Sequence, residues 1–169
     1  MFSRLAYRSR QFWNALPIPR KPVRTEAILP HLSPNLVVLF RRMQPSEQQH
    51  AFHLLERLKE SGETDPDLLS AALLHDVGKI LYPLSIIDRV VIVLGNRFFR
   101  QKAEQWSRGT PNRLRRPFVV AANHPAWGAD LAEQAGASPR AVDLIRRHQD
   151  CPSTEDRLLA ALQEADDEK

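Results

Sequence analysis

The segment Leu73-Leu74-His75-Asp76-Val77-Gly78-Lys79 sets an imidazole and a carboxylate side by side at the end of an apolar run, and no other stretch constrains the chain as tightly. Upstream, Asp65-Pro66 reads as an N-cap followed by a proline at the first helical position. Leu68, Leu69, Ala72 and Leu73 then recur at helical spacing, and Gly78 is expected to close the helix. On that period His75 falls below Leu68, Ala71 and Ala72, and Asp76 below Leu69, Ala72 and Leu73, so both polar groups are directed into the interior. A carboxylate and an imidazole buried together are costly unless a hydrogen bond, an opposite charge or a cation satisfies them. An isolated His-Asp pair reads as a helix-end cap; the remaining histidines change that reading.

The same periodicity sorts them. Residues 26–31 predict a short helical turn, and residues 34–43 a helix that Pro45 stops. Ser46, with Gln49 three residues on, predicts a capping-box start for a helix running to about residue 61. On it His50 shares a face with Glu47, Ala51, Leu54 and Leu58, while His53 shares one with Glu56, Arg57 and Glu60, which turns His50 inward and His53 toward water. Residues 85–99 are rich in Ile and Val, yet Ser85 and Asp88 in capping-box positions and the continuity of the apolar run predict a helix there. Residues 101–117 read as a long basic loop. His124-Pro125 predicts the first turn of a helix to about residue 135, and Ser138-Pro139 begins another, with Ala141, Leu144 and Ile145 placed below a buried His148. The last helix, residues 156–167, turns Asp166 under Leu158, Leu159 and Leu162 and turns Asp167 away. The fold class predicted is all-α, with a helix-on-helix core.

At 169 residues the chain is of ordinary single-domain size, and its 43% apolar content fits a globular protein. A lone cysteine, Cys151, cannot form an internal disulfide, and the start shows no signal sequence, so a reducing cytoplasm is the expected compartment. The longest apolar stretch, residues 80–94, is broken by Pro83 and Asp88-Arg89, and no transmembrane segment is expected. The net charge of +4 is uneven. Residues 1–24 carry Arg4, Arg8, Arg10, Arg20, Lys21 and Arg24 with no acid, and residues 97–116 hold a second basic block opposed only by Glu104. Such asymmetry favours anionic partners: phosphorylated small molecules, nucleic acid or an anionic lipid surface. Residues 1–45, with a plausible helix over residues 1–16 and prolines at 17, 19 and 22, are expected to form a basic, aromatic extension packed on a domain comprising residues 46–169.

The inward side chains collected from all helices are His50, His75, Asp76, His124, His148 and Asp166, each of which would otherwise need its own buried partner. A His on one helix, His-Asp closing the next, and an Asp after an alanine late in the chain resemble the HD superfamily of metal-dependent phosphohydrolases, over roughly residues 46–167. The resemblance implies an HD-domain helical bundle in which His50, His75, Asp76 and Asp166 bind a divalent ion. His124-Pro125 preceding Gly128-Ala129, and Arg147-His148, look like the extra histidines of subfamilies with two ions. Carried over, Asp76 bridges, the first ion takes His50, His75 and Asp166, and the second takes His124 and His148. The chain lacks the paired His-His and the Gly-Tyr-Pro of the HD-GYP enzymes, and looks closer to compact two-metal HD hydrolases of diadenosine tetraphosphate.

Imidazole and carboxylate ligands suit Fe, Mn, Co, Ni or Zn alike. Two such ions can share a water, lower its pKa and clamp the attacking and leaving oxygens of a displacement at phosphorus, so the hydroxide is the nucleophile and no serine or cysteine is needed. The expected activity is therefore hydrolysis of a phosphomonoester, phosphodiester or phosphoanhydride of a nucleotide or small phosphorylated metabolite. Lys79 is expected to neutralise a phosphate oxygen, as its equivalent does in relatives, and Arg146, Arg147 and the loop arginines Arg113, Arg115 and Arg116 to hold substrate phosphates. Two rival readings are a catalytically silent HD-fold signalling or scaffold protein, and a nucleic-acid-binding protein; against the latter, the aromatics are not interleaved with the basic residues as a stacking platform.

Overall fold

The computed structural model describes residues 23–112, 115–151 and 155–167. Among them the chain forms nine α-helices and one 3-10 turn, with no strand. In order these are α1 (Thr25–Ile28), α2 (Pro34–Arg41), α3 (Pro45–Glu60), α4 (Pro66–Leu74), the 3-10 turn (Val77–Leu81), α5 (Ile86–Phe98), α6 (Arg100–Trp106), α7 (Arg116–Gln134), α8 (Pro139–Arg147) and α9 (Arg157–Asp167). The all-α expectation holds. The helix expected over residues 1–16, the connector leading to Val23, and Arg113 lie outside the described residues.

Local chemistry accounts for most of the helix starts. Pro34, Pro45, Pro66, Pro117 and Pro139 each stand in a first helical turn, where a missing N–H leaves nothing unpaired. Asp65 caps α4 by accepting from the backbone N–H groups of Asp67 and Leu68, both at 3.0 Å. Ser85 and Asp88 form the predicted capping box of α5, and Ser138 caps α8 through the Ala141 N–H at 3.0 Å.

The bundle is built around α4, which is buried from Leu68 to Leu74, as an all-round apolar helix must be. Helices α3 and α8 pack on α4, α9 crosses all three, and α7 lies along α8 and the 3-10 turn. Val23, Ile28, Leu32, Leu36, Leu39, Phe40 and Met43 enter the same core, so residues 23–43 share it with the later helices. Helices α5 and α6 rest on α7, and no α5 side chain joins the central core.

Four expectations need correction. Pro45 opens α3 with Gln44 as N-cap, so it starts that helix as well as ending the earlier one, and the Ser46–Gln49 capping box is not used. Helix α4 ends at Leu74, with His75 as C-cap, and Gly78 lies beyond it in the 3-10 turn. Glycine is required there by packing: a Cβ at position 78 would meet the His124 carbonyl oxygen at 2.1 Å and the Gly128 nitrogen at 2.7 Å. The first half of the expected loop over residues 101–117 is helical, because Ala103 is buried and the Trp106 ring packs on Phe118 at 5.3 Å. Finally, α7 begins at Arg116, so His124-Pro125 falls inside the helix and not at its start.

Candidate metal centre

Five helices deliver polar groups to one interior point. His50 comes from the middle of α3, His75 and Asp76 from the end of α4, His124 from α7, His148 from the end of α8 and Asp166 from α9. His75, Asp76, His124 and His148 are buried, whereas His50 and Asp166 are about a quarter exposed at their side chains. His53 and Asp167 face solvent, as their helical phase requires.

The imidazoles form a chain of near neighbours. Ring centroids of His50 and His75 lie 5.1 Å apart, those of His75 and His148 also 5.1 Å, and those of His148 and His124 5.2 Å. Among the described residues, one ligand atom from each of His50, His75 and Asp166 falls within 4.8 Å of the others, and the same holds for Asp76, His124 and His148. Asp76 faces both sets: its Oδ2 lies 3.6 Å from His75 Nε2, and its Oδ1 lies 3.1 Å from His124 Nε2. Asp166 Oδ1 lies 3.0 Å from His50 Nε2 and 4.0 Å from His75 Nε2.

Backbone carbonyls fix which ring nitrogen points inward. His75 Nδ1 lies 2.9 Å from the Ala72 carbonyl oxygen, and His148 Nδ1 lies 2.8 Å from that of Ile145. A carbonyl only accepts, so each Nδ1 carries the proton and donates. The third ring gains the same restraint from Pro125, which has no N–H to offer the Ala121 carbonyl four residues back. His124 Nδ1 lies 3.1 Å from that oxygen and 3.0 Å from the Val120 oxygen, and donates to both. In each neutral ring, Nε2 is then a bare lone pair aimed at the cluster.

Burial keeps the rings neutral. Desolvation lowers the pKa of His75 and His124 and takes that of His148 down to about 4. Burial works to raise the Asp76 carboxyl, but the Lys79 ammonium, whose Nζ is 2.6 Å away, draws it down, and Asp76 is held well below the ordinary carboxylate range. Lone pairs of neutral imidazoles therefore face anionic oxygens, an arrangement that repels itself unless a cation lies between them. His75 Nε2 and His148 Nε2 are buried with no hydrogen-bond partner. Neutral nitrogens, carboxylates and orphaned acceptors are what a divalent transition ion requires of its ligands, so the residues fit such an ion.

The arginines expected at substrate are occupied elsewhere. Arg146 pairs with Asp130 at 2.7 Å, and Arg147 holds Asp143 at 3.1 Å and Asp156 at 2.9 Å. Arg140 also binds Asp156, whose carboxyl the Arg140 hydrogen bond helps bring down to about 2. The Asp156 pairs fasten α8 to the start of α9, the Arg146–Asp130 pair ties α8 to α7, and all three guanidinium groups are engaged. Arg116 donates to the Pro83 carbonyl at 2.6 Å, which ties α7 to the segment before α5.

Sequence reasoning passed over Glu47 as a site residue. Its side chain is 3% exposed, Arg89 donates to it at 3.0 Å, and burial raises its pKa while Lys79 and Arg89 pull the other way. The available signal was its position, one helical turn before His50 on the same face. Gln149 was missed as well; its Nε2 reaches to 3.4 Å from His124 Nε2.

Comparison with protein families matches residues 48–168 to the HD domain. Comparison with curated proteins and with solved structures gives no match.

Proposed function

The chain belongs to the HD-domain family, and from that footing we propose that it hydrolyses a phosphate ester or anhydride of a nucleotide or other small phosphorylated metabolite, using two divalent transition ions. The observation carrying this reading is the set of inward, proton-free Nε2 atoms of His75 and His148, orphaned within a cluster that also holds two aspartates.

His50, His75 and Asp166 would hold one ion and His124 and His148 the other, with Asp76 offering an oxygen to each. When bound, such ions supply Lewis acidity to phosphoryl oxygens and lower the pKa of water. Two dications carry four charges against two carboxylates, so the loaded site has an excess of positive charge that favours an anionic substrate. Lys79 keeps an ammonium at the edge of the cluster, beside Asp76, where it would meet a phosphate oxygen. Glu47, which Arg89 holds at 3.0 Å, lies near enough to feel that lysine's charge. Cys151 is exposed and free, which supports a reducing compartment, and we assign the protein to the cytoplasm.

Elemental analysis of the purified protein, followed by a phosphate-release screen over nucleotides and small phosphate esters, tests the reading. Near-stoichiometric transition metal and release that falls to background in Asp76→Ala are expected. Release undiminished by that substitution, or a protein that takes up no divalent ion, would overturn it.

A further inference from the structure

Seven of the nine large apolar side chains exposed among the described residues fall between Leu81 and Phe99. Clustering of this kind is unusual, since apolar residues scattered singly over a surface need no explanation and a contiguous patch does. On α5 the exposed residues are Ile87, Val91, Leu94 and Phe98, spaced four, three and four apart, so they form one stripe along the helix, and Phe99 continues it. The stripe runs for about 16 Å at the helical rise. In α5 only Gly95 is buried, where it meets the Phe118 ring, so the helix is fastened by its inner edge and presents its apolar face outward.

The charge around the stripe has one sign. Arg97, Arg100 and Lys102 are exposed at its C-terminal end, and Arg108 is exposed just after α6. Between residues 81 and 112 the only carboxylates are Asp88 and Glu104. Asp88 is engaged by the capping box and by Arg116 at 3.5 Å, and Glu104 by Arg100 at 3.1 Å. The Arg97 guanidinium lies over the Phe98 ring, 5.9 Å from its centroid, which puts a cation beside the most exposed aromatic of the stripe.

We infer that α5 and the start of α6 form a peripheral docking surface for an anionic lipid bilayer, with the Ile87–Val91–Leu94–Phe98 stripe entering the headgroup boundary and Arg97 and Lys102 meeting lipid phosphates. An outward apolar stripe with aromatic residues and a cationic end is the pattern of a helix lying in a membrane interface. The helix does not span: no helix of the described residues is long and apolar enough to cross a membrane. A second copy is the poorer occupant, because it would bring these cations together with no unengaged carboxylate in the segment to meet them. Leu81 and Tyr82, also exposed, stand between Lys79 and the stripe in the chain.

Flotation of the full chain with vesicles of phosphatidylcholine alone, and of phosphatidylcholine mixed with phosphatidylglycerol, tests this. Binding to the mixed vesicles only, weakened by salt, is expected. Phe98→Ser with Phe99→Ser should lower the bound fraction about tenfold or more, and Arg97→Glu with Lys102→Glu should abolish the preference for anionic lipid. Both pairs are exposed, so unchanged helical circular dichroism and metal content are expected beside the loss. Absence of binding to either vesicle, binding that both double variants leave intact, or a self-associated protein that Phe98→Ser/Phe99→Ser makes monomeric would overturn the inference.

Discussion

At the scale of single residues, the site depends on the placement of protons. In the metal-free protein the buried rings of His75, His124 and His148 stay neutral, with His148 at about 4. The unfolded chain takes up these protons near an ordinary histidine pKa of about 6.5, and the folded chain does not until lower pH. Below that value the unfolded state binds more protons, so the stability these groups contribute is complete above about pH 6.5 and is lost as pH falls toward about 4. Denaturant midpoints of the metal-free protein are expected to decline through that window; a flat profile would mean the rings take up protons as readily in the fold as in the unfolded chain. Pro125 gives a second prediction. Pro125→Ala restores an N–H to the Ala121 carbonyl, and an interior proline costs a helix about 3 kcal/mol. The variant is expected to melt higher and yet bind metal about tenfold more weakly, since His124 loses part of the contact that orients its ring. Calorimetric metal titration beside thermal melting checks both signs.

Among the elements, the 3-10 turn and α7 bear the tightest constraint. A methyl group at position 78 collides with the His124 carbonyl, and a Cβ at Gly128 would already be 3.0 Å from the Gly78 nitrogen. Gly78→Ala is therefore expected to cost about 3 kcal/mol or more, read from the denaturant midpoint, and to displace Lys79 and His124 together. Sequence periodicity was enough to turn His50, His75, His148 and Asp166 inward and to send His53 and Asp167 outward, because each helix buries one face and the phase follows from its leucines. It also placed the caps at Asp65, Ser85 and Ser138, which are local hydrogen bonds. What it missed depends on contacts between distant segments. The reason for glycine at 78 lies in a backbone nearly fifty residues away, and the start of α7 is set by Phe118, Val119 and Val120 being buried. Arg147, by contrast, is held by Asp143 one helical turn back on α8, a pairing that helical spacing itself offers, and by Asp156 just beyond that helix.

For the whole molecule, the proposed ions are cross-links between helices that otherwise meet mainly through leucines. Helix α9 crosses the bundle, with Leu159 and Leu162 in the core and Asp166 at the cluster. Anything bound only by the folded state adds stability by mass action, about 4 kcal/mol at a thousandfold excess over its dissociation constant. Prolonged chelation is expected to lower the melting temperature by several degrees, and Asp166→Ala should remove much of that difference; equal melting with and without metal would argue against ions at this place. The donors also have an order along the chain. Asp76, His124 and His148 all precede α9, so fraying of that helix would withdraw Asp166 and weaken the proposed site at His50 and His75 while leaving the other three donors assembled.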